Sequence, residues 1–310
     1  MKLLSYQTKG ADSWKMGFML EDKVIDLHTA YQRMLISKSE TGASPASEQD
    51  IPNDPAAFFA GGDHLIEKAK EAYNHLLHTD NREGFCFDRE EVTLGAPVPS
   101  PSKIICIGKN YADHVAEMQS EIPNYPVLFA KFANALIGPE DAIEKTASTE
   151  KLDYEVELTI VIGKKASKVN KEDALDYIAG YSIGNDTSAR DLQKRTPQWL
   201  QGKTLDRTTP IGPWVVTADE VGDPSNLSIK SYVNGEERQS SNTSHLIFGV
   251  PFLIEFISDL ITLNPGDIIM TGTPDGVGFA MNPPQFLKDG DTVTLEIEKV
   301  GTMENVVKEV

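Results

Sequence analysis

Cysteine is scarce. Cys86 and Cys106 are the only two among 310 residues, and their separation fits neither a paired-thiol motif nor a zinc cluster. A disulfide-stapled scaffold is excluded, and two reduced structural thiols remain. Positive charge is also in short supply: 29 Lys and Arg face 47 Asp and Glu, for a net charge of -18 and a pI of about 4.7. Such a balance repels a phosphate backbone or an anionic bilayer, so neither nucleic acid nor membrane is expected as a partner. A small anionic substrate stays admissible, because a metal or a few local cations can invert the field inside a cleft. Long hydrophobic runs are missing too. The most apolar stretch, residues 245–263, is broken by Pro251, Glu255 and Asp259 and reads as a buried amphipathic helix, not a bilayer span. The opening MKLLSYQTKG has no apolar core of signal-peptide length, so a cytoplasmic location is expected. There is no internal repeat and no low-complexity tract.

What is present suffices for a sizeable core. Hydrophobic residues make up 40% of the chain, whose length accommodates one large domain and a smaller one. The segment KMGFMLEDKVIDL reads as two short strands joined at Glu21-Asp22-Lys23, followed by a helical piece through Tyr31 and Leu35. Residues 37–55 read as a surface loop. Asp54-Pro55 has the form of an N-cap with proline at the first helical position, and Asp63 is expected to cap a second helix, in which His75 and His78 are partly exposed. APVPSPSK, with a proline at every second position from Pro97 to Pro101, stiffens an extended connector. The domain boundary is placed there, giving 1–95 and 96–310. Beyond it strand signals outnumber helices and follow no regular strand-helix rhythm, which argues for a β-rich α+β fold over a doubly wound sheet.

The richest stretch is LDYEVELTIVI, residues 152–162, which alternates with period two. Read as one strand, it carries Leu152, Tyr154, Val156, Leu158, Ile160 and Ile162 on one face and Asp153, Glu155, Glu157 and Thr159 on the other. Taken alone, this is a half-exposed strand with its polar face in water. Two adjacent carboxylates nevertheless repel unless they are solvated, share a proton or hold a cation. Asp186, in GYSIGNDTSARDLQ, adds a third carboxylate at a turn between an apolar strand and a helix-like segment spanning residues 188–194. It reads either as an N-cap or as the third oxygen ligand of a Mg2+ or Mn2+ site, a donor set better suited to a hard cation than to zinc. His114 and Glu117 stand at i, i+3 on a short helix, so the carboxylate can orient the imidazole; the same spacing is common on solvated helices. IIMTGTPDGVG lacks the lysine of a phosphate-binding loop, and its backbone amides suit a carboxylate better than a nucleotide.

GKNYADHVAEM, LDYEVEL, GYSIGNDTSARDLQ, GKTLD and TGTPDGVG, in this order, resemble the fumarylacetoacetate hydrolase family over residues 96–310. The preceding part looks like the small, variable domain of longer bacterial members. The resemblance implies a rolled β-sandwich catalytic domain, usually in a homodimer, and a divalent metal on the counterparts of Glu155, Glu157 and Asp186. Mg2+ is the first expectation, with Mn2+ and Ca2+ as alternatives. It further implies an acid-base pair at His114 and Glu117 on a segment that orders over the substrate, an active-site lysine at Lys203, and pocket-lining roles for Arg190, Gln193 and Thr273. MQSEIPNYP, residues 118–126, is expected to form the lid.

The chemistry implied is that of small anionic 2-oxo acids. In a hydrolase, His114 would deprotonate a water that attacks the distal carbonyl of a β-diketo acid, while Lys203 stabilises the oxyanion and carbon-carbon cleavage leaves an enolate. Hydrolysis of a fumarylacetoacetate-like or acylpyruvate-like substrate is the leading expectation. Decarboxylation of oxaloacetate is the alternative, followed by isomerase or hydratase activity and, in a different class, a non-catalytic scaffold.

Overall fold

Period-two apolar runs dominate the chain. In the computed structural model, which describes residues 1–38, 50–79 and 82–310, they assemble into two sheets packed face to face. Among the described residues the larger sheet passes through Cys86–Asp88, Lys23–Asp26, Lys15–Leu20, Lys2–Thr8, Thr209–Thr217, Ile178–Asn185, Val156–Ile162, Ile268–Met270, Ile104–Gly108 and Val127–Lys131. The smaller runs through Glu236–Asn242, Ser228–Val233, Thr292–Ile297, Gly301–Glu309 and Ile143–Lys145. Leu158 and Ile160 of the first sheet share a core with Ile229, Leu295 and Ile297 of the second and with Leu253 and Ile257 of the helix Val250–Leu260. This is the β-rich α+β fold expected from the strand signals, arranged as the sandwich that the family resemblance implies.

A second core lies on the other face of the larger sheet. Phe58, Phe59, Leu65 and Ile66, from the helices Pro55–Gly61 and Asp63–Leu76, pack there with Val161, Val215, Ile268 and Met270. The strand Val156–Ile162 is therefore buried along its whole length, which corrects the half-exposed reading of its alternation. The physical reason is the helical layer, which takes the place that water would occupy. The first of these helices starts as expected, with Asp54 accepting from the Ala57 amide at 2.7 Å and proline in its first turn, a cap worth ~1 kcal/mol. The second begins at Asp63 with Gly62 as its cap residue and no side-chain cap bond, so Asp63 is not the cap. The strand Lys2–Thr8 pairs through Lys2 and Leu3 with Val216 and Val215, so the ladder is continuous between the amino-terminal residues and the rest of the sheet. The surface-loop expectation for residues 37–55 falls mostly on residues outside those described.

The single strand expected over residues 152–162 is broken. Leu152–Asp153 pairs with Ser188–Ala189 in a separate short ladder, and the larger sheet resumes at Val156. Side chains replace ladder bonds at the break: the Tyr154 amide donates to Asp153 Oδ1 at 3.0 Å and the Glu155 amide to Asn185 Oδ1 at 2.9 Å. The Asp186 amide then donates to the Glu155 carbonyl at 2.9 Å, tying the two halves of the later site together. Residues 188–194, expected as a helix, split into that two-residue strand and one helical turn, Arg190–Gln193.

Candidate active site

Glu155, Glu157 and Asp186 each offer an oxygen such that all three lie within 4.8 Å of one another, and all three side chains are buried. Glu157 stands on the strand Val156–Ile162 opposite Gly184, and Glu155 at the break just before it. Asp186 follows the partner strand Ile178–Asn185. Its carboxylate caps no helix: Oδ1 accepts from Lys131 Nζ at 2.8 Å and Oδ2 from Lys203 Nζ at 2.7 Å. Lys203 also donates to Glu155 Oε2 at 2.7 Å, so one ammonium bridges two members of the triad. Glu157 Oε2 accepts from the Gly272 amide at 2.8 Å. Gly272 adopts φ +104, and a Cβ there would lie 2.7 Å from Asn110 Cβ, so this close amide approach needs a glycine.

Charge has been divided unequally within this cluster. Burial alone would raise the Glu155 pKa, but Lys203 and Arg190 outweigh it and hold the carboxyl below its ordinary range. Glu157 is pushed well above that range, by burial and then by the adjacent Asp186 and Glu155. Lys203 is held cationic, since Asp186 and Glu155 overcome the burial that opposes its charge. Arg190 is wholly engaged: Nε donates to Asp153 Oδ2 at 2.8 Å and Nη1 to Gln193 Oε1 at 3.1 Å, while Nη2 lies 2.7 Å from Glu155 Oε1 as an ion pair without hydrogen-bond geometry. Asp153 in turn accepts the Gly278 and Phe279 amides at 2.8 and 3.0 Å.

On the far side, His114 and Glu117 occupy the helix Ala112–Glu117. A carboxylate can only accept, so His114 Nδ1 carries the proton and donates it to Glu117 Oε1 at 2.7 Å. Glu117 Oε2 accepts the Gly276 amide at 2.9 Å, which fixes the carboxylate and leaves His114 Nε2 as the nitrogen open to a bound molecule. His114, the triad, Arg190, Gln193, Lys203 and Thr273 line one cavity of about 260 Å3. That is below the ~300–1,000 Å3 of pockets for drug-sized ligands and suits a small acid. Met118 and Ser120, at the start of the expected lid, reach the same space.

Several participants were not singled out from the sequence. Lys131 is fully buried and holds Asp186, yet a lysine is ordinarily solvated; the one signal was its period-two phase with Phe129 at the end of an apolar strand. Gln239 donates to Thr273 Oγ1 at 2.7 Å from a wholly polar strand that gives no alternation. Trp199 and Phe129 form an apolar wall, their rings 5.3 Å apart.

The donor set suits a hard divalent cation. Three carboxylate oxygens converge with no thiolate or imidazole among them, and of the three Glu157 has no ion-pair partner among the described residues, so a cation bound there would supply one. The same residues that hold Glu155 and Asp186 apart from solvent leave each with an oxygen facing the others.

Comparison with known proteins places this geometry. The profile of the fumarylacetoacetate (FAA) hydrolase C-terminal family matches residues 103–308. A fumarylacetoacetate hydrolase domain-containing protein 2 homolog from Dictyostelium discoideum is 42% identical, covering 99% of this chain and 97% of its own. An oxaloacetate tautomerase from Bacillus subtilis is also 42% identical, over 94% of this chain and 95% of its own. Among solved structures, a maleylpyruvate hydrolase from Sphingobium sp. SYK-6, in complex with manganese(II) and pyruvate, is 31% identical with a TM-score of 0.75, covering 100% of this chain and 99% of that one. From a matched profile over two thirds of its length and relatives aligned nearly end to end, the chain belongs to the fumarylacetoacetate hydrolase family.

Proposed function

We propose that the protein is a divalent-metal-dependent enzyme that moves a proton on the carbon beside the keto group of a small 2-oxo acid, interconverting the enol and keto forms of oxaloacetate. The observation that carries this reading is a His-Glu dyad and a carboxylate triad facing one small cavity. The choice of oxaloacetate is supported by the Bacillus relative, similar along almost the whole chain. Residues 96–310 would carry the chemistry, with residues 1–95 as a small domain covering them, in a homodimer.

Glu155, Glu157 and Asp186 would hold Mg2+, or Mn2+ or Ca2+, which when bound supplies Lewis-acid polarisation of the keto carbonyl. His114, with Nδ1 fixed by Glu117, presents Nε2 to carry the proton between the substrate's C3 and its C2 oxygen, taking it from carbon and delivering it to oxygen in one direction and the reverse in the other. Lys203, buried and cationic, stabilises negative charge that develops on the C2 oxygen as the proton leaves. Arg190, Gln193 and Thr273 position the substrate. The apolar side chains of Trp199, Phe129 and Val115 line the cavity with His114 and would limit exchange of the shuttled proton with water.

Hydrolytic carbon-carbon cleavage of a β-diketo acid is the second reading, favoured by the Sphingobium structure with pyruvate bound. There His114 Nε2 would deprotonate a water instead of the substrate carbon. Decarboxylation of oxaloacetate would need no base at all. One experiment separates the three: metal-stripped protein, with and without Mg2+, is given freshly dissolved enol oxaloacetate and, separately, acetylpyruvate, and products are identified. Metal-dependent acceleration of enol decay without carbon dioxide is the expected result. Acetate plus pyruvate from acetylpyruvate would move the assignment to a hydrolase, and carbon dioxide plus pyruvate from oxaloacetate to a decarboxylase.

A further inference from the structure

Oxaloacetate carries a second carboxylate, at C4, which three converging carboxylates at the triad end of the cavity would repel. In a chain of net charge -18, that group needs a cation of its own. Among the described residues four cationic side chains line the cavity: Lys109, Arg190, Lys194 and Lys203. Arg190 and Lys203 are already paired with the carboxylates Asp153, Glu155 and Asp186, at the triad end of the cavity. Lys194 is exposed, and its ammonium sits 3.6 Å above the Phe279 ring. Lys109 is half-buried, and among the described residues it has no carboxylate, hydrogen-bond or ring partner for its ammonium.

The backbone at Lys109 makes a second, independent observation. Its φ is +57, in the left-handed region that costs a residue with a Cβ ~1–2 kcal/mol. Of the non-glycine residues with positive φ, Lys109 alone lines the cavity. The chain on either side is clamped. Gly108 pairs with Val127 and lies so close to Trp199 that a Cβ would come within 2.4 Å of the indole. Asn110 donates to the Thr271 carbonyl at 2.7 Å and accepts the Phe248 amide at 2.8 Å. A glycine would satisfy this turn without strain, so what the lysine adds is an unpaired ammonium at the cavity wall.

We propose that Lys109 is the specificity residue that receives the distal carboxylate of a four-carbon 2-oxo dicarboxylate. The inference rests on the 2-oxo acid reading of the site. A charge-assisted hydrogen bond of this kind corresponds to a loss on the order of 10- to 100-fold in affinity when removed. Steady-state kinetics of Mg2+-loaded wild type, Lys109→Met, Lys109→Arg and Lys109→Gly are compared on oxaloacetate and on its 4-methyl ester, with calorimetric binding of pyruvate as the equilibrium readout. The expected result is a rise of that size in KM for oxaloacetate in the Met and Gly variants with kcat within a fewfold, partial recovery in the Arg variant, and no change for the ester or for pyruvate. The Gly variant relieves the backbone strain, so it unfolds no earlier than wild type and separates lost binding from lost folding. An unchanged KM for oxaloacetate in both Met and Gly variants, or the same loss on the uncharged ester, overturns the role of Lys109 while leaving the 2-oxo acid reading intact. A loss seen in Lys194→Met instead of Lys109→Met does the same. Wild type that binds pyruvate but neither turns over nor binds oxaloacetate overturns the dicarboxylate proposal together with the tautomerase reading.

Discussion

Loading the triad with metal should expel a proton. Four buried carboxylates, Asp153, Glu155, Glu157 and Asp186, meet three buried cations, Lys131, Arg190 and Lys203. One negative charge is left over, and it falls on Glu157, which no cation touches and which is pushed well above the ordinary carboxylate range by burial and by Asp186 and Glu155. That shift favours the protonated form of Glu157 in the metal-free site, and a cation would displace that proton as it binds. The magnitude follows: about one proton per ion below the shifted pKa, and an apparent affinity that climbs about tenfold per pH unit over the same range. Without metal the sign is opposite for folding. A carboxyl whose folded pKa is raised stabilises the native state below its unfolded value, and that contribution is lost, by at most ~1.4 kcal/mol per pH unit, as pH rises toward the shifted pKa. Calorimetric titration with Mg2+ near pH 6.5, in buffers of different ionisation enthalpy, gives the proton count as the slope of observed heat against buffer heat. A slope near zero at pH 6.5, with tight binding intact, would refute the charge accounting. Glu157→Gln should remove the slope and weaken binding together.

Two further outcomes follow from the geometry. His114→Ala should lower turnover by ~10²–10⁴-fold while leaving the Mg2+ Kd within about twofold, measured by kinetics and calorimetry side by side; equal losses in both would show that His114 serves the metal and not the proton. Lys131→Met leaves Asp186 Oδ1 without its cation while Lys203 still holds Oδ2, and should cost on the order of 3 kcal/mol of stability in the metal-free protein, read by chemical denaturation, with part of the loss recovered at saturating metal.

The parts of this site that could be read from the chain are those governed by period. Glu155 and Glu157 are two apart, so any extended backbone sets them on one side, and His114 and Glu117 are three apart on a helix, which brings them together whatever surrounds them. Parts governed by burial were not legible. The polar side of residues 152–162 met a helical layer instead of water, because pairing of Phe58 and Phe59 with Val161 depends on long-range packing that no local pattern encodes. Lys131 was hidden by the ordinary preference of lysine for solvent, and Asp153 by the break at residues 154–155, which is made by Asn185 and not by any turn residue. Glu236–Asn242 is an edge strand with no apolar residue, so it offered no alternation, although it brings Gln239 to Thr273.

The strand Val156–Ile162 deserves to be seen mechanically. Glu157 stands near one end, and just past the other the Gly163 carbonyl accepts the Asp63 amide at 2.9 Å, where the amino-terminal helix Asp63–Leu76 begins. Hydrogen-bonded along both edges, the strand behaves as a stiff rod, with the candidate metal ligand as its tip and the helical layer as its mount. A change in how that distant layer is seated would be delivered to the carboxylates as a displacement along the rod. The amino-terminal helices thus help to set where the floor of the cavity comes to rest, at a distance from the carboxylates themselves.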